Sequence, residues 1–243
     1  MGEKCYERNY YMNEKKLTSY RTILLDADGT LFDFKASEGN ALTAVFKKYG
    51  YVLNEEIRKT YEEININLWK QYEQGKIDRN TVIYSRFGKL FKTIGIDDDG
   101  IDFEDDYQKL LGMQHDLYED ALEVIQYLHG KYDLYIVTNG VTATQMQRLK
   151  DSTLNQYMKD IFVSEATGFQ KPMKEYFDYC FEQIGDVDKS KTMIIGDSLT
   201  SDIKGGNNAV ITTCWYNPDG LKNDTDAVVD IEIHELRELY QIL

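Results

Sequence analysis

Three short apolar runs in this chain each end abruptly in a cluster of small polar and acidic residues, and this repetition constrains the fold more than any other feature. Arg21-Thr22-Ile23-Leu24-Leu25 stops at Asp26-Ala27-Asp28-Gly29-Thr30. Leu134-Tyr135-Ile136-Val137 stops at Thr138-Asn139-Gly140, and Thr192-Met193-Ile194-Ile195 stops at Gly196-Asp197-Ser198. A short apolar run without alternation marks a strand buried on both faces. Helix-compatible stretches follow, Thr142 to Lys150, Lys174 to Gln183 and His234 to Ile242. The implied fold class is α/β, a doubly wound parallel sheet with helices on both faces. Ligands of such sheets sit beyond the carboxyl ends of the strands, where strand order reverses. The three polar clusters are therefore expected to share one site.

The stretch between Thr30 and Leu134 departs from this grammar. Ala36 to Tyr49, Glu55 to Gln74 and Asn80 to Thr93 are long, polar, free of proline and punctuated by Gly50, Gly75 and Gly95 at plausible helix ends. Residues 35–118 are accordingly assigned to an inserted α-helical domain. Residues 21–34 and 119–243 form the sheet domain, and residues 1–20 are a polar leader. The acidic run Asp97-Asp98-Asp99-Gly100, with Asp102, Glu104, Asp105 and Asp106 behind it, lacks the glycine and glutamate spacing of a calcium loop. It reads as a solvated loop of the insertion.

A formal net charge of -14 without any sustained Lys/Arg cluster excludes a nucleic-acid polymer as the main partner, since backbone phosphates need a basic surface. A small anion remains compatible, because a bound divalent cation reverses the local field. No stretch approaches the ~20 apolar residues of a membrane span. The protein is expected to be soluble and cytoplasmic, as a monomer or homodimer. Cys5, Cys180 and Cys214 form no CxxC pair and read as free thiols. His115, His129 and His234 are scattered, which leaves no zinc or histidine chemistry in view.

Asp26 and Asp28 stand two apart just past a buried strand, a spacing whose repulsion a shared cation or proton relieves. One carboxylate can then ligate Mg²⁺ and attack phosphorus while its neighbour moves the proton. Asp197 and Asp202 supply a second set of hard oxygen ligands suited to Mg²⁺. Thr138, Asn139 and Gly140 offer a hydroxyl, an amide and backbone N–H groups at a helix start, where the dipole favours phosphate. Lys171 adds a positive charge. Each feature alone is ordinary turn or cap chemistry; their weight lies in recurring along one sheet edge.

Leu25-Asp26-Ala27-Asp28-Gly29-Thr30-Leu31, Val137-Thr138-Asn139-Gly140, Gln170-Lys171-Pro172 and Ile195-Gly196-Asp197-Ser198-Leu199-Thr200-Ser201-Asp202 resemble, in order, the four signature motifs of the haloacid dehalogenase superfamily. The resemblance implies a Rossmann-like core with a helical cap and a phosphatase using Mg²⁺. It makes Asp26 the nucleophile, Asp28 the general acid/base, and Thr138 and Lys171 the phosphate holders. Asp197 becomes a metal ligand beside Asp26 and the backbone carbonyl of Asp28. Asp202 stands behind them, orienting a metal-bound water or Lys171.

Within the insertion, Asn67 to Ile77 and Ser85-Arg86-Phe87 resemble the pyrimidine 5′-nucleotidase subgroup. The implied substrate is a small phosphorylated metabolite such as a nucleoside monophosphate, with Trp69 and Tyr72 as stacking candidates and Arg86 as a polar anchor. A sugar-phosphate phosphatase or a phosphomutase on the same core stays open. Asp28 argues against a 2-haloacid dehalogenase, since halide leaves carbon without a proton. The insertion argues against a phospho-receiver-like binding module, which lacks one.

Overall fold

In the computed structural model, which describes residues 20–243, the apolar runs become strands of one parallel sheet. The elements are β1 (Thr22–Leu25), α1 (Phe34–Tyr49), α2 (Glu55–Glu73), α3 (Arg79–Ile94), α4 (Ile101–Gly112), α5 (Ala121–Leu128), β2 (Asp133–Thr138) and α6 (Thr142–Asp151). They continue with β3 (Asp160–Val163), α7 (Ser164–Thr167), α8 (Lys174–Ile184), β4 (Thr192–Gly196), α9 (Lys204–Ala209), β5 (Thr212–Tyr216), β6 (Ile231–Ile233) and α10 (Leu239–Ile242). Strand order is β3-β2-β1-β4-β5-β6, and every pairing is parallel. The chain winds outward from β1 in one direction, then returns to lay β4 on its other side. The switch point lies between β1 and β4, which is where such a sheet opens a crevice.

Successive residues of β1 face opposite sides of the sheet. Ile23 and Leu25 join a cluster with Ile136, Ile195 and the α5 side chains Val124 and Ile125. Leu24 joins Val137, Ile194 and the α8 rings Tyr176 and Phe177 on the other face. Both faces are therefore covered, which explains why the strands read as unbroken apolar runs.

Helices α1 to α4 form the inserted helical unit around its own apolar cluster, including Phe46, Tyr61, Phe87, Phe91 and Phe103. Asp33, Asn54 and Asp78 cap α1, α2 and α3 by accepting from Ala36, Ile57 and Thr81 N–H groups. Each cap satisfies an N–H that the helix itself leaves unpaired. Gly50 and Gly95 end α1 and α3 in the left-handed region.

The structure corrects the sequence reading in three places. The acidic run does not form a solvated loop beyond Gly100: Phe103, Tyr107 and Leu111 bury one face of α4 together with Glu104, while Asp102 and Asp105 are exposed, Asp102 in the first turn where the dipole favours it. The sheet has β3, β5 and β6 besides the strands read from sequence. The expected helix from His234 to Ile242 shortens to a turn at Leu236–Glu238 followed by α10, because Glu238 accepts from His234 and Glu235 N–H groups and starts the turn there. Cys180 and Cys214 are buried free thiols. The expectations for Cys5 and the leader up to residue 19 lie outside the described residues.

Candidate active site

The crevice between β1 and β4 gathers the acidic clusters. Asp26 N–H donates to Ile195 O at 2.9 Å, so strand pairing runs one residue past β1 and fixes where the Asp26 side chain departs. Gly29, at φ 81°, passes so close to Asp197 that a Cβ would lie 2.5 Å from its Oδ2. Only glycine tolerates both the conformation and the approach. A methyl group on Gly196 would likewise overlap the Asp202 carboxyl. Thr30 Oγ1 donates to Asp197 Oδ1 at 3.0 Å, and Ser198 N–H donates to Asp202 Oδ2 at 3.1 Å.

Lys171 is buried among these carboxylates. Its Nζ donates to Asp26 Oδ1, to Asp202 Oδ1 at 2.7 Å and to Val137 O at 2.8 Å, which uses all three ammonium protons. Asn139 holds the lysine's backbone from both sides: its Oδ1 accepts from Lys171 N–H at 2.9 Å and its Nδ2 donates to Lys171 O at 2.9 Å. Asn139 and Gly140 line the cleft, yet the Asn139 amide is occupied by this clamp.

Burial pushes the Asp26 carboxyl well above the usual range; Lys171 pulls it back, while Asp202 and Asp197 push it further. Asp197 is pushed up to about 7 by burial and by Asp202, against the Thr30 hydrogen bond. Lys171 moves above its ordinary value although burial opposes this, because the carboxylates of Asp202 and Asp26 favour the ammonium. One ammonium among three clustered carboxylates leaves an excess of negative charge.

The sheet-edge residues Asp26, Asp28, Thr138, Lys171, Asp197 and Asp202 form the floor of one cleft, and Phe34, at the start of α1, with Trp69, Glu73, Arg86, Gln108 and Leu111 of the insertion form its roof. Trp69 faces the cleft. Tyr72 does not: it is buried with Leu68 and Val82, and its hydroxyl lies 3.3 Å from Ser164 Oγ, so it packs the insertion against the core. Arg86 lines the cleft, but Glu104 and Asn65 occupy its guanidinium, which removes it as a free anchor. Glu73 reaches from the end of α2 to accept from Thr200 Oγ1 at 2.7 Å.

Sequence reasoning missed Gln145 and Arg148, both on α6 and both bonded to Asp28. Three residues apart in the helix that follows Thr138-Asn139-Gly140, they share one face, but that spacing marks them only as a pair and does not show that they are buried.

The family model for haloacid dehalogenase-like hydrolases matches residues 20–209. The chain belongs to that family. This haloacid dehalogenase-like hydrolase is 48% identical to YfnB of Bacillus subtilis over 224 residues, covering 92% of this chain and 95% of YfnB. Its fold matches the crystal structure of YfnB bound to magnesium with a TM-score of 0.88, over 92% of this chain and 98% of that one. It is 39% identical to the pyrimidine 5′-nucleotidase PynA of Streptococcus pneumoniae, covering 92% of this chain and 95% of PynA. It is 30% identical to the pyrimidine 5′-nucleotidase YjjG of Escherichia coli, covering 91% and 96%. The hydrolase is a phosphatase with a helical cap, so a phospho-receiver-like module is set aside. No helix among the described residues is long and apolar enough to cross a membrane.

Proposed function

We propose that this phosphatase hydrolyses nucleoside 5′-monophosphates, pyrimidine ones foremost, through an aspartyl phosphate on Asp26 and with Mg²⁺ bound at the acidic cluster. The observation that carries the chemistry is the cluster itself: ligand oxygens of Asp26, Asp197 and Asp202 lie within 4.8 Å of one another. The donor set fits the ion. The hydrogen bonds described above engage Asp26 Oδ1, Asp197 Oδ1 and both oxygens of Asp202, leaving Oδ2 of Asp26 and Oδ2 of Asp197 as the carboxylate oxygens for a cation. Mg²⁺ takes one or two such carboxylates and fills the remaining positions with water and phosphate oxygen. When bound, it supplies positive charge that neutralises nucleophile and phosphate together.

Asp26 attacks phosphorus as the bond to the ester oxygen breaks, and Asp28 gives its proton to the departing alkoxide. Water then attacks the phosphorus of the aspartyl phosphate, Asp28 takes the water's proton, and the phosphorus–Asp26 bond breaks to release orthophosphate. Lys171 and Thr138 hold the phosphoryl oxygens, with Asp202 and Asn139 fixing Lys171.

The substrate assignment rests on the roof and on the relatives. Trp69, Phe34 and Leu111 give the cleft apolar surface on which a base can lie, next to the amide of Gln108. Two relatives matched along nearly the whole chain are pyrimidine 5′-nucleotidases. A panel of phosphomonoesters assayed with Mg²⁺ tests this, and the highest kcat/KM is expected on a pyrimidine monophosphate. Trp69→Ala should lower kcat/KM there by about 5- to 100-fold, the worth of one stacked base, and leave p-nitrophenyl phosphate nearly unchanged. A preference for sugar phosphates over every nucleotide would overturn the substrate assignment.

A further inference from the structure

We infer that Gln145 and Arg148 are positioning residues that clamp Asp28 from helix α6 and tie it to Thr138. Both oxygens of the Asp28 carboxylate are held by this one helix. Arg148 Nη1 donates to Asp28 Oδ1, and Gln145 Nε2 donates to Asp28 Oδ2 at 2.6 Å. The same Gln145 Nε2 donates to Thr138 Oγ1 at 2.9 Å. One amide thus spans the acid/base residue and a phosphate-holding hydroxyl.

The clamp is itself packed and hydrogen-bonded, except at Arg148 Nη2, which is buried without a hydrogen-bond partner. Gln145 and Arg148 are buried, at 1% and 0% exposure, whereas the Asp28 side chain keeps 26% in the cleft. Arg148 Nη1 also donates to Gln145 Oε1 at 3.1 Å, and its Nε donates to Gln114 O at 2.9 Å. Its guanidinium lies 4.3 Å from the Phe32 ring centroid, a cation–π contact that offsets part of its desolvation. A carboxylate on a two-bond side chain at the end of a loop has several rotamers. Two donors from a packed helix select one of them.

Gly140 supplies independent support. A Cβ at this position would lie 2.6 Å from both Cγ and Nε2 of Gln145. Gly140 does not lie in the left-handed region, so φ does not demand glycine here. The space its missing side chain leaves is the space that Gln145 fills on its way to Asp28.

This inference rests on the aspartyl-phosphate reading, in which Asp28 protonates the leaving oxygen. General-acid help matters most when the leaving group is a poor one. The test compares kcat/KM on phenyl phosphate and on p-nitrophenyl phosphate, two esters of like shape whose leaving groups differ in acidity. The quantity reports only steps through departure of the phenol. Gln145→Leu, Gly140→Ala and Arg148→Met should each lose about 100-fold on phenyl phosphate and less than about tenfold on p-nitrophenyl phosphate. Gln145→Leu preserves side-chain size and keeps the test available where Arg148→Met does not fold. Equal losses on both esters, or no loss in a folded Gln145→Leu protein, would overturn the clamp. A gain on phenyl phosphate would also overturn it, by showing that the contacts withhold Asp28 from substrate. Asp26→Asn run alongside separates the two readings: turnover by that variant defeats the aspartyl-phosphate route and the clamp together, whereas a dead Asp26→Asn with equal losses defeats the clamp alone.

Discussion

Arg86 and Glu104 are joined inside the cap by two parallel hydrogen bonds, Nε to Oε2 at 2.7 Å and Nη2 to Oε1 at 2.6 Å. Both side chains are fully buried, at 2% and 0% exposure, and the guanidinium lies 4.8 Å from the Tyr107 ring centroid. Removing one partner leaves the other charge stranded away from water, which costs about 3–5 kcal/mol. Glu104→Leu should therefore lower the melting temperature sharply, and Arg86→Met combined with Glu104→Leu should recover much of the loss. Thermal unfolding followed by circular dichroism measures both. A Glu104→Leu protein that melts with the wild type would show that the pair contributes nothing to the cap.

Glu38 carries the opposite lesson about buried charge. Its carboxyl is raised to about 7, chiefly by burial and against the pull of Arg86, while Asn65 Nδ2 donates to Oε1 at 3.0 Å. The folded protein then keeps a proton that the unfolded chain has lost, so this group's contribution to stability is lost as pH rises from the ordinary value of 4.5 to about 7. Glu38→Gln should stabilise the protein above that window and change little below it. Solvent at the half-buried side chain trims the gain to about 1–2 kcal/mol. Urea midpoints at about pH 4 and about pH 8 give the comparison; an equal shift at both would remove Glu38 from the pH dependence.

Magnesium should stabilise the folded protein whether or not substrate is present, because the carboxylates it neutralises are gathered only in the fold. Adding Mg²⁺ after exhaustive chelation should raise the melting temperature, and Asp197→Asn should abolish that rise. Activity should vanish in the chelated protein and be opposed by Ca²⁺, which accepts more ligands in looser geometry. A melting temperature indifferent to Mg²⁺ in the wild type would contradict a metal site at Asp26 and Asp197.

Much of this site was legible because it lies where backbone regularity ends. Asp26 and Asp197 each follow an apolar strand and Thr138 ends one, and parallel strands in register bring such ends together whatever the helices do. Lys171 and Asp202 were legible through the motifs around them. Gln145 and Arg148 were not, since a glutamine and an arginine on a polar helix read as solvated until packing shows both to be buried. The same limit hid α4: its Phe103, Tyr107 and Leu111 stripe was masked by the acids between them. Arg86 looked like an anchor because its partner, Glu104, lies 18 residues away on another helix, a distance that no local pattern spans.

The central chemical assignment is that Asp26 carries the phosphoryl group. It is tested most directly by mixing the enzyme and Mg²⁺ with a nucleoside monophosphate labelled at phosphorus, quenching in acid within one turnover, and locating the label on the protein. The expected result is an acyl phosphate on Asp26 that hydroxylamine releases, with no label on Asp26→Asn and a kcat lower by several orders of magnitude. Label on another residue, or an Asp26→Asn protein keeping even about a tenth of the wild-type turnover, would contradict it.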